Sequence, residues 1–187
     1  MKLFNSDSGF IYGMLFLIVL FSSTSVQAQT FSTNVGYAKF DASTSISKYS
    51  GETNSLTGKL NIQDKEIVFI LPVDSIKTGI AARDRDMYKL LETGQYPDMV
   101  FQGKLVSDIK SGDGKQKATA RGTLTIRNEV REITVEGTIQ KTGGGIQLEA
   151  GWTLLLSDYK IDRPSKFFAK VRDEHEIQIS ALLKKEK

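Results

Sequence analysis

The sequence of 187 residues contains no cysteine. This absence excludes disulfide bonds, thiolate catalysis and zinc-thiolate sites, and it also excludes the lipid-modified cysteine of a bacterial lipoprotein. Histidine occurs once, as His175 between Glu174 and Glu176 at the start of a strand pattern. The pattern favours a solvated histidine balanced by acids over a metal ligand. We therefore predict no metal and no cofactor.

Charge of one sign never accumulates along the chain. The 25 basic and 22 acidic residues give a net charge of +3 and alternate without forming a run. A nucleic-acid-binding protein is expected to carry a basic stripe or patch, so we predict that nucleic acid is not a partner.

Groups that would mark an enzyme are also scarce, because no nucleophile, base or metal site is indicated. Four acids, Asp158, Asp162, Asp173 and Glu174, lie in polar, loop-like sequence where acids need no function. Nothing in their spacing brings two of them to a catalytic separation. Residues 143–145 are three glycines, but a strand pattern follows them and not a helix, so they indicate a hairpin turn rather than a phosphate loop. We predict a protein that is not an enzyme.

Long hydrophobic runs are limited to residues 10–21 (FIYGMLFLIVLF). A serine-rich patch and then Val26-Gln27-Ala28 follow, with small residues at the positions that a signal peptidase reads. The run has about 12 apolar residues, whereas a membrane-spanning helix needs roughly 20, so an anchor is the less favoured alternative. We predict a cleavable signal peptide over residues 1–28, one domain over residues 29–187, and a periplasmic or secreted protein with no transmembrane segment after cleavage.

What the sequence does contain is alternation, most clearly over residues 117–140 (KATARGTLTIRNEVREITVEGTIQ). Apolar and small residues occupy every second position on both sides of a polar break at Asn128 and Glu129, which predicts a β-hairpin with one dry face. The dry face would carry Ala118, Ala120, Gly122, Leu124, Ile126, Ile133, Val135, Gly137 and Ile139. Its small residues suit strong curvature or an interior that is kept partly open.

Similar alternation predicts a first strand over residues 34–40 and a second hairpin over residues 56–73, with a Ser/Thr-rich connection at 41–50 between them. A short helix is predicted from Asp84, which could cap it, to Gly94 and Pro97, which would end it. Further strands are predicted at 99–105, 146–156 and 174–183, with an irregular loop at 157–166 and turns at 111–114 and 141–145. About eight strands joined mostly by short turns indicate an all-β fold, an eight-stranded antiparallel β-barrel with one or two short helices, because closure removes exposed edges.

Several segments resemble the bacterial YceI-like family. They are residues 76–101 (IKTGIAARDRDMYKLLETGQYPDMVF), 122–127 (GTLTIR) and 158–161 (DYKI). The most specific parts are Ser75, the Arg-Asp run at 83–86, Tyr96-Pro97, Phe101 and the hairpin segment 122–127. The resemblance implies an exported, lipocalin-like barrel that holds a long isoprenoid chain in an apolar tunnel. Many members carry a histidine before the short helix, whereas this chain has Arg83 to Met87 there, so no role of that histidine transfers.

The inward apolar residues would form either a packed core or the lining of a tunnel, and composition does not separate the two. They are Phe69, Leu71, Met99, Phe101, Leu124, Ile133, Leu148, Trp152, Leu154 and Ile179. A ligand head group at the mouth would be within reach of Arg83, Arg85, Tyr88 and Arg163. The expected partner is a long-chain apolar lipid such as an isoprenoid, and a homodimer is left open. The alternative is a filled barrel that acts through its loops as an interaction or stress-response module, with no lipid ligand.

Overall fold

The computed structural model describes residues 29–110, 112, 114–166 and 169–186. The predicted signal peptide, residues 1–28, lies outside the described residues, as do two positions of the predicted turn at 111–114. The domain boundary at residue 29 therefore stays a prediction.

Eight antiparallel strands close into one barrel, as predicted, and two further strands of two residues form a separate small ladder. The neighbours around the barrel follow the order β1-β10-β7-β6-β5-β4-β3-β2. The strands are β1 (Thr30–Ser43), β2 (Lys48–Asn61), β3 (Glu66–Pro72), β4 (Asp98–Leu105), β5 (Gln116–Ile126), β6 (Glu129–Thr142), β7 (Gly145–Leu155), β8 (Ser165–Lys166), β9 (Ala169–Lys170) and β10 (Glu174–Lys185).

The predicted hairpin is confirmed as β5 and β6, paired from Gln116 opposite Ile139 to Ile126 opposite Glu129. Only Arg127 and Asn128 separate the two strands, and Arg127 adopts a positive φ of 58°. A two-residue turn of this kind matches the right-handed twist of the strands that it joins. The hairpin at residues 56–73 is confirmed as β2 and β3.

The predicted connection at residues 41–50 is wrong, because β1 continues to Ser43 and β2 already begins at Lys48. A Ser/Thr-rich composition does not by itself predict a loop, because these residues also form strands when their backbone groups can pair with a neighbouring strand. The true connection is residues 44–47. Its turn is held by the Thr44 hydroxyl oxygen, which accepts hydrogen bonds from the Ile46 amide (3.2 Å) and the Ser47 amide (3.0 Å).

The predicted short helix is present as α1 (Ala81–Leu90), but it starts three residues before Asp84. Asp84 is therefore not its cap. Its carboxylate instead accepts hydrogen bonds from the Thr78 amide (2.9 Å) and the Thr78 hydroxyl (2.5 Å), which ties the first turn of α1 to the segment before it. These bonds lower the pKa of Asp84. The irregular loop predicted at 157–166 contains a 3-10 turn (Leu156–Tyr159) and β8.

The two longest connections of the barrel, residues 73–97 and 156–173, lie at the same end. One end, here called the base, carries the connections at residues 62–65, 106–115 and 143–144; the other, the mouth, carries those at 44–47, 73–97, 127–128 and 156–173. Each end has its own apolar cluster. The base cluster includes Leu60, Phe69 and Leu183, and the mouth cluster includes Leu124, Tyr159 and Ile161. Helix α1 lies at the mouth.

Candidate ligand cavity

A cavity of about 1010 Å³ lies inside the barrel and extends to the mouth. Its wall comes from inward positions of the barrel strands, and its outer part is bordered by α1, the 44–47 connection and residues 160–164. The base is closed by side chains that do not border the cavity and are almost fully buried, Leu60, Ile139, Ile146 and Leu183. The cavity is therefore open towards the mouth and blocked at the base.

Nearly every apolar residue that the sequence placed inward borders this cavity. Those that do are Phe69, Leu71, Met99, Phe101, Leu124, Leu148, Trp152, Leu154 and Ile179. Ile133 does not border it and packs instead against the mouth cluster. These positions could be predicted because successive side chains of a β-strand point to opposite faces of the sheet, whatever the strand packs against.

Small inward residues have two separate roles. Ala118, Ala120 and Gly137 border the cavity, so their missing side-chain volume contributes to its width. Gly122 does not border it. Gly122 lies opposite Gly103 on β4, and a Cβ built on Gly122 would come within 2.5 Å of the Gly103 Cα. This glycine pair allows the two strands to approach each other closely.

His175 contradicts the prediction of a solvated histidine, since its exposed fraction is 8% and its side chain borders the cavity. The ring of Phe40 lies 5.9 Å from the imidazole, centroid to centroid. Burial lowers the pKa of His175, although the Asp173 carbonyl, 3.3 Å from Nδ1, acts in the opposite direction. The flanking acids misled the prediction because they point to the opposite face of β10 from the histidine.

Two buried nitrogen atoms near the cavity have no hydrogen-bond partner among the described residues. They are Nε1 of Trp152 and Nε of Arg127, and both side chains border the cavity. A buried donor without an acceptor costs about 1 to 3 kcal/mol, so native proteins rarely leave one unpaired.

Four basic or polar residues were predicted to reach a head group, and the structure separates them. Arg83 borders the cavity, with its guanidinium carbon 4.5 Å from the centroid of the Tyr49 ring. Arg85 and Arg163 are exposed and do not border the cavity. Tyr88 also lies outside the lining, and its hydroxyl donates to the Ile76 carbonyl (2.6 Å).

Contacts near both ends of α1 hold this helix at the mouth. Near its start, Arg83 stacks on Tyr49 of β2; after its end, Glu92 forms an ion pair with Arg127 in the β5–β6 turn. Lys77 also donates to the Tyr88 hydroxyl at 2.7 Å. These contacts hold α1 beside the opening.

The wall of the barrel is incomplete between β6 and β7 near the mouth. Their ladder ends at Glu136 opposite Gly151, although both strands continue towards the mouth. Tyr159 and Ile161, which follow β7, are buried in the mouth cluster together with residues of β5. Burial raises the pKa of Tyr159 to about 12. The same segment is attached to β6 by Lys160, whose Nζ lies 2.8 Å from the Glu129 carboxylate.

The acids considered for catalysis do not form a shared site in the described part of the chain. Asp173 accepts hydrogen bonds from the Ser157 amide (3.0 Å) and hydroxyl (2.5 Å), which lower its pKa. Asp162 borders the cavity, while Asp158 and Glu174 are exposed. No group of three or more acidic or histidine side chains that could hold a metal ion occurs among the residues that the structure describes.

Four residues at the mouth were not predicted from the sequence: Tyr49, Glu92, Arg127 and Lys160. Tyr49 was assigned to a connection, and the charged residues gave no signal because their partners are distant in sequence. An ion pair between residues 92 and 127 depends on which loops share one end of the barrel, and only closure of the sheet decides that.

The fold and the cavity together define a lipocalin-like barrel with an apolar interior. The chain belongs to the YceI-like domain family, whose profile matches residues 23–183. No curated protein is significantly similar to it in sequence. Within residues 29–110, 112, 114–166 and 169–186, no helix has the length and apolar character that crossing a membrane requires.

Solved structures with this fold come from several bacteria. A polyisoprenoid-binding domain from Saccharophagus degradans aligns with a TM-score of 0.71 at 11% identity, covering 85% of this chain and 99% of that one. Burkholderia cenocepacia BcnA aligns with a TM-score of 0.65 at 16% identity, covering 79% and 94%. The Campylobacter jejuni YCEI protein aligns with a TM-score of 0.60 at 20% identity, covering 76% and 87%. At these identities the likeness establishes the fold.

Proposed function

We propose that this protein binds a long apolar molecule of isoprenoid type inside its barrel and carries it outside the cytoplasm. The observation that supports the proposal is the cavity of about 1010 Å³, which is lined mainly by apolar side chains and opens at the mouth. Ligand pockets for small molecules commonly measure about 300 to 1000 Å³, so this one has room for a large ligand.

Binding would derive chiefly from burial of the chain. Each CH₂ group removed from water contributes roughly 0.8 kcal/mol, so an apolar tail can bind tightly without polar contacts. The part of the cavity wall that would contact the tail includes Phe101, Leu154 and Ile179. A polar end of the ligand would lie near Arg83 at the mouth, and Arg85, Tyr88 and Arg163 would have no direct contact with it.

The related structures support an apolar ligand. The Saccharophagus degradans domain is described as polyisoprenoid-binding, and its fold covers most of this chain. The alternative function, a module that acts through its loops, assumes a barrel filled by side chains, whereas the interior of this barrel contains a cavity. We also propose that the protein binds its ligand without catalysing a reaction. Asp173 accepts hydrogen bonds from Ser157. Among the described residues, no hydrogen bond or ion pair joins Asp173 to Asp158, Asp162 or Glu174.

The direct test is native mass spectrometry of the protein purified from cells, followed by extraction and identification of any bound lipid. We expect an added mass that disappears on extraction with organic solvent and belongs to a long apolar molecule. A Phe101→Ala, Ile179→Ala variant should retain less of it than the unmodified protein. Purified protein that is always free of lipid, and that takes up none when it is offered, would refute the proposal.

Export rests on the sequence pattern of residues 1–28. N-terminal sequencing of the mature protein should find a chain that starts near Gln29. A mature protein that still contains residues 10–21 and sediments with membranes would support the anchor alternative instead.

A further inference from the structure

Two large apolar side chains at the mouth are at least half exposed. Ile46, in the 44–47 connection, has an exposed fraction of 80%, and Ile80, just before α1, has 50%. Both residues also border the cavity. Single exposed apolar residues are common on protein surfaces and need no explanation. These two differ because they come from separate elements and lie at the same opening.

Local contacts hold both segments in place. The Ile46 turn is fixed by the Thr44 hydroxyl and by a hydrogen bond from the Thr44 amide to the Ser47 carbonyl (2.8 Å). The Ile80 carbonyl accepts the first hydrogen bond of α1, from the Asp84 amide (3.0 Å). The side chains are thus presented outward by ordered backbone, and little conformational entropy would be lost when they are buried.

The charges beside the opening are of both signs. Arg83, Lys89 and Lys160 border the cavity there, and so do Asp86 and Asp162. Such a mixture gives no strong attraction to a partner of one sign, so apolar contact would have to supply the binding. A neutral lipid bilayer surface has the chemistry that this arrangement suits.

We infer that the mouth docks on a lipid bilayer by inserting Ile46 and Ile80 at the interface, so that the cavity opens against the membrane. The inference rests on the proposed lipid-binding function, because a long apolar ligand leaves a bilayer for bulk water only at a prohibitive cost. Docking at the mouth would let the ligand pass between bilayer and cavity without full exposure to water.

The test compares two double variants of the whole protein as purified. Ile46→Ser with Ile80→Ser removes both mouth side chains. The control, Val35→Ser with Val106→Ser, removes two side chains with exposed fractions of 72% and 54%, neither of which borders the cavity. Since all four positions are exposed, melting temperatures should stay near that of the unmodified protein, which verifies folding.

The measurement is flotation with neutral phosphatidylcholine vesicles. The unmodified protein and the control should bind, with little change when salt is raised to about 0.5 M, because apolar insertion is not screened. The mouth variant should bind at least about tenfold more weakly, as loss of two inserted isoleucines implies. Equal binding of all three proteins, absence of binding by the unmodified protein, or binding only to anionic vesicles at low salt would overturn the inference.

Two further readouts distinguish membrane docking from dimerisation and from loss of lipid binding. If the mouth is instead the contact between two copies of the chain, the mouth variant should convert a dimer to a monomer in light scattering, which would also overturn the inference. Lipid content by native mass spectrometry distinguishes failure of docking from failure of the proposed function. Lipid that is bound equally by both double variants, with unchanged flotation, refutes docking alone; an unmodified protein that never holds lipid refutes the function.

Discussion

The base and the mouth of this barrel are built from the same strands, yet they differ in what fills them. At the base, large side chains such as Leu60 and Leu183 are completely buried and close the interior. At the mouth, long connections and α1 surround an opening into the cavity. The same strand can therefore contribute to a packed core at one end and to a binding wall at the other. Substitutions at the two ends should have different consequences.

The largest difference should appear among the aromatic residues of the wall. Phe69 belongs to the base cluster and packs against Gly58, where an added Cβ would lie 2.2 Å from its ring. Phe69→Ala should lower the free energy of unfolding by about 3 to 5 kcal/mol, as for a packed aromatic. All three rings border the cavity, but Phe69 is only 5% exposed whereas Phe101 and Trp152 are partly buried. Phe101→Ala and Trp152→Ala should therefore cost clearly less in lipid-free protein, because these rings have fewer protein contacts to lose. Denaturant melts of delipidated protein measure this directly.

The same variants should also differ in how much lipid they retain. Phe101→Ala and Trp152→Ala should reduce lipid retention in native mass spectrometry more than they reduce stability. If all three variants lose several kcal/mol and none changes lipid retention, the mouth half is packed like the base and the comparison fails.

Matched leucines give the next largest effect. Leu60, fully buried at the base, and Leu154, partly buried beside the cavity, carry the same side chain in different surroundings. Leu60→Ala should destabilise the protein by about 2 to 5 kcal/mol, and Leu154→Ala by less than half of that. Urea melts of the two variants decide the point, and equal losses would contradict it.

His175, near the mouth, should make the free energy of unfolding depend on pH, which is a smaller effect. Burial holds its pKa below the ordinary value of 6.5. Between that lowered pKa and 6.5 the unfolded chain binds more protons than the folded one, so stability should decrease as pH falls, by at most about 1.4 kcal/mol per pH unit.

The measurement is a series of urea melts from about pH 7.5 to pH 5.5, a range in which only histidine side chains ordinarily titrate. His175→Gln should remove most of the slope. Acids with lowered pKa values, such as Asp84 and Asp173, lose their contribution only at lower pH, below about pH 4. A slope that is unchanged in His175→Gln would show that another group titrates.

The smallest effect should come from ion pairs at the two ends. Glu92→Gln breaks the contact with Arg127 at the mouth, and Glu186→Gln breaks the contact with Lys59 (2.9 Å) near the base. Exposed pairs contribute about 0 to 1 kcal/mol, so both should change stability little, with Glu92 the larger because Arg127 is less exposed. Melts at low and high salt test this, and a Glu92→Gln loss of several kcal/mol would mean that α1 is essential to the fold.

The class of fold could be predicted from sequence pattern. Alternation along β2, β5, β6 and β7 assigns inward and outward faces, and a series of strands joined by short turns predicts closure into an antiparallel barrel. The apolar wall residues followed from the same period, with Ile133 as the exception. These features are local, so they can be derived from nearest neighbours along the chain.

Which end of the barrel is filled and which is open depends on contacts between distant parts of the chain. The cavity depends on side chains that face each other across the barrel, and the pair Gly103 and Gly122 depends on the register of two strands. His175 was predicted to be solvated because its neighbours are acids, but a β-strand turns them to the opposite face and buries the imidazole beside Phe40. Burial and cavity volume result from contacts between residues distant in sequence, and such contacts leave no periodic signal in it.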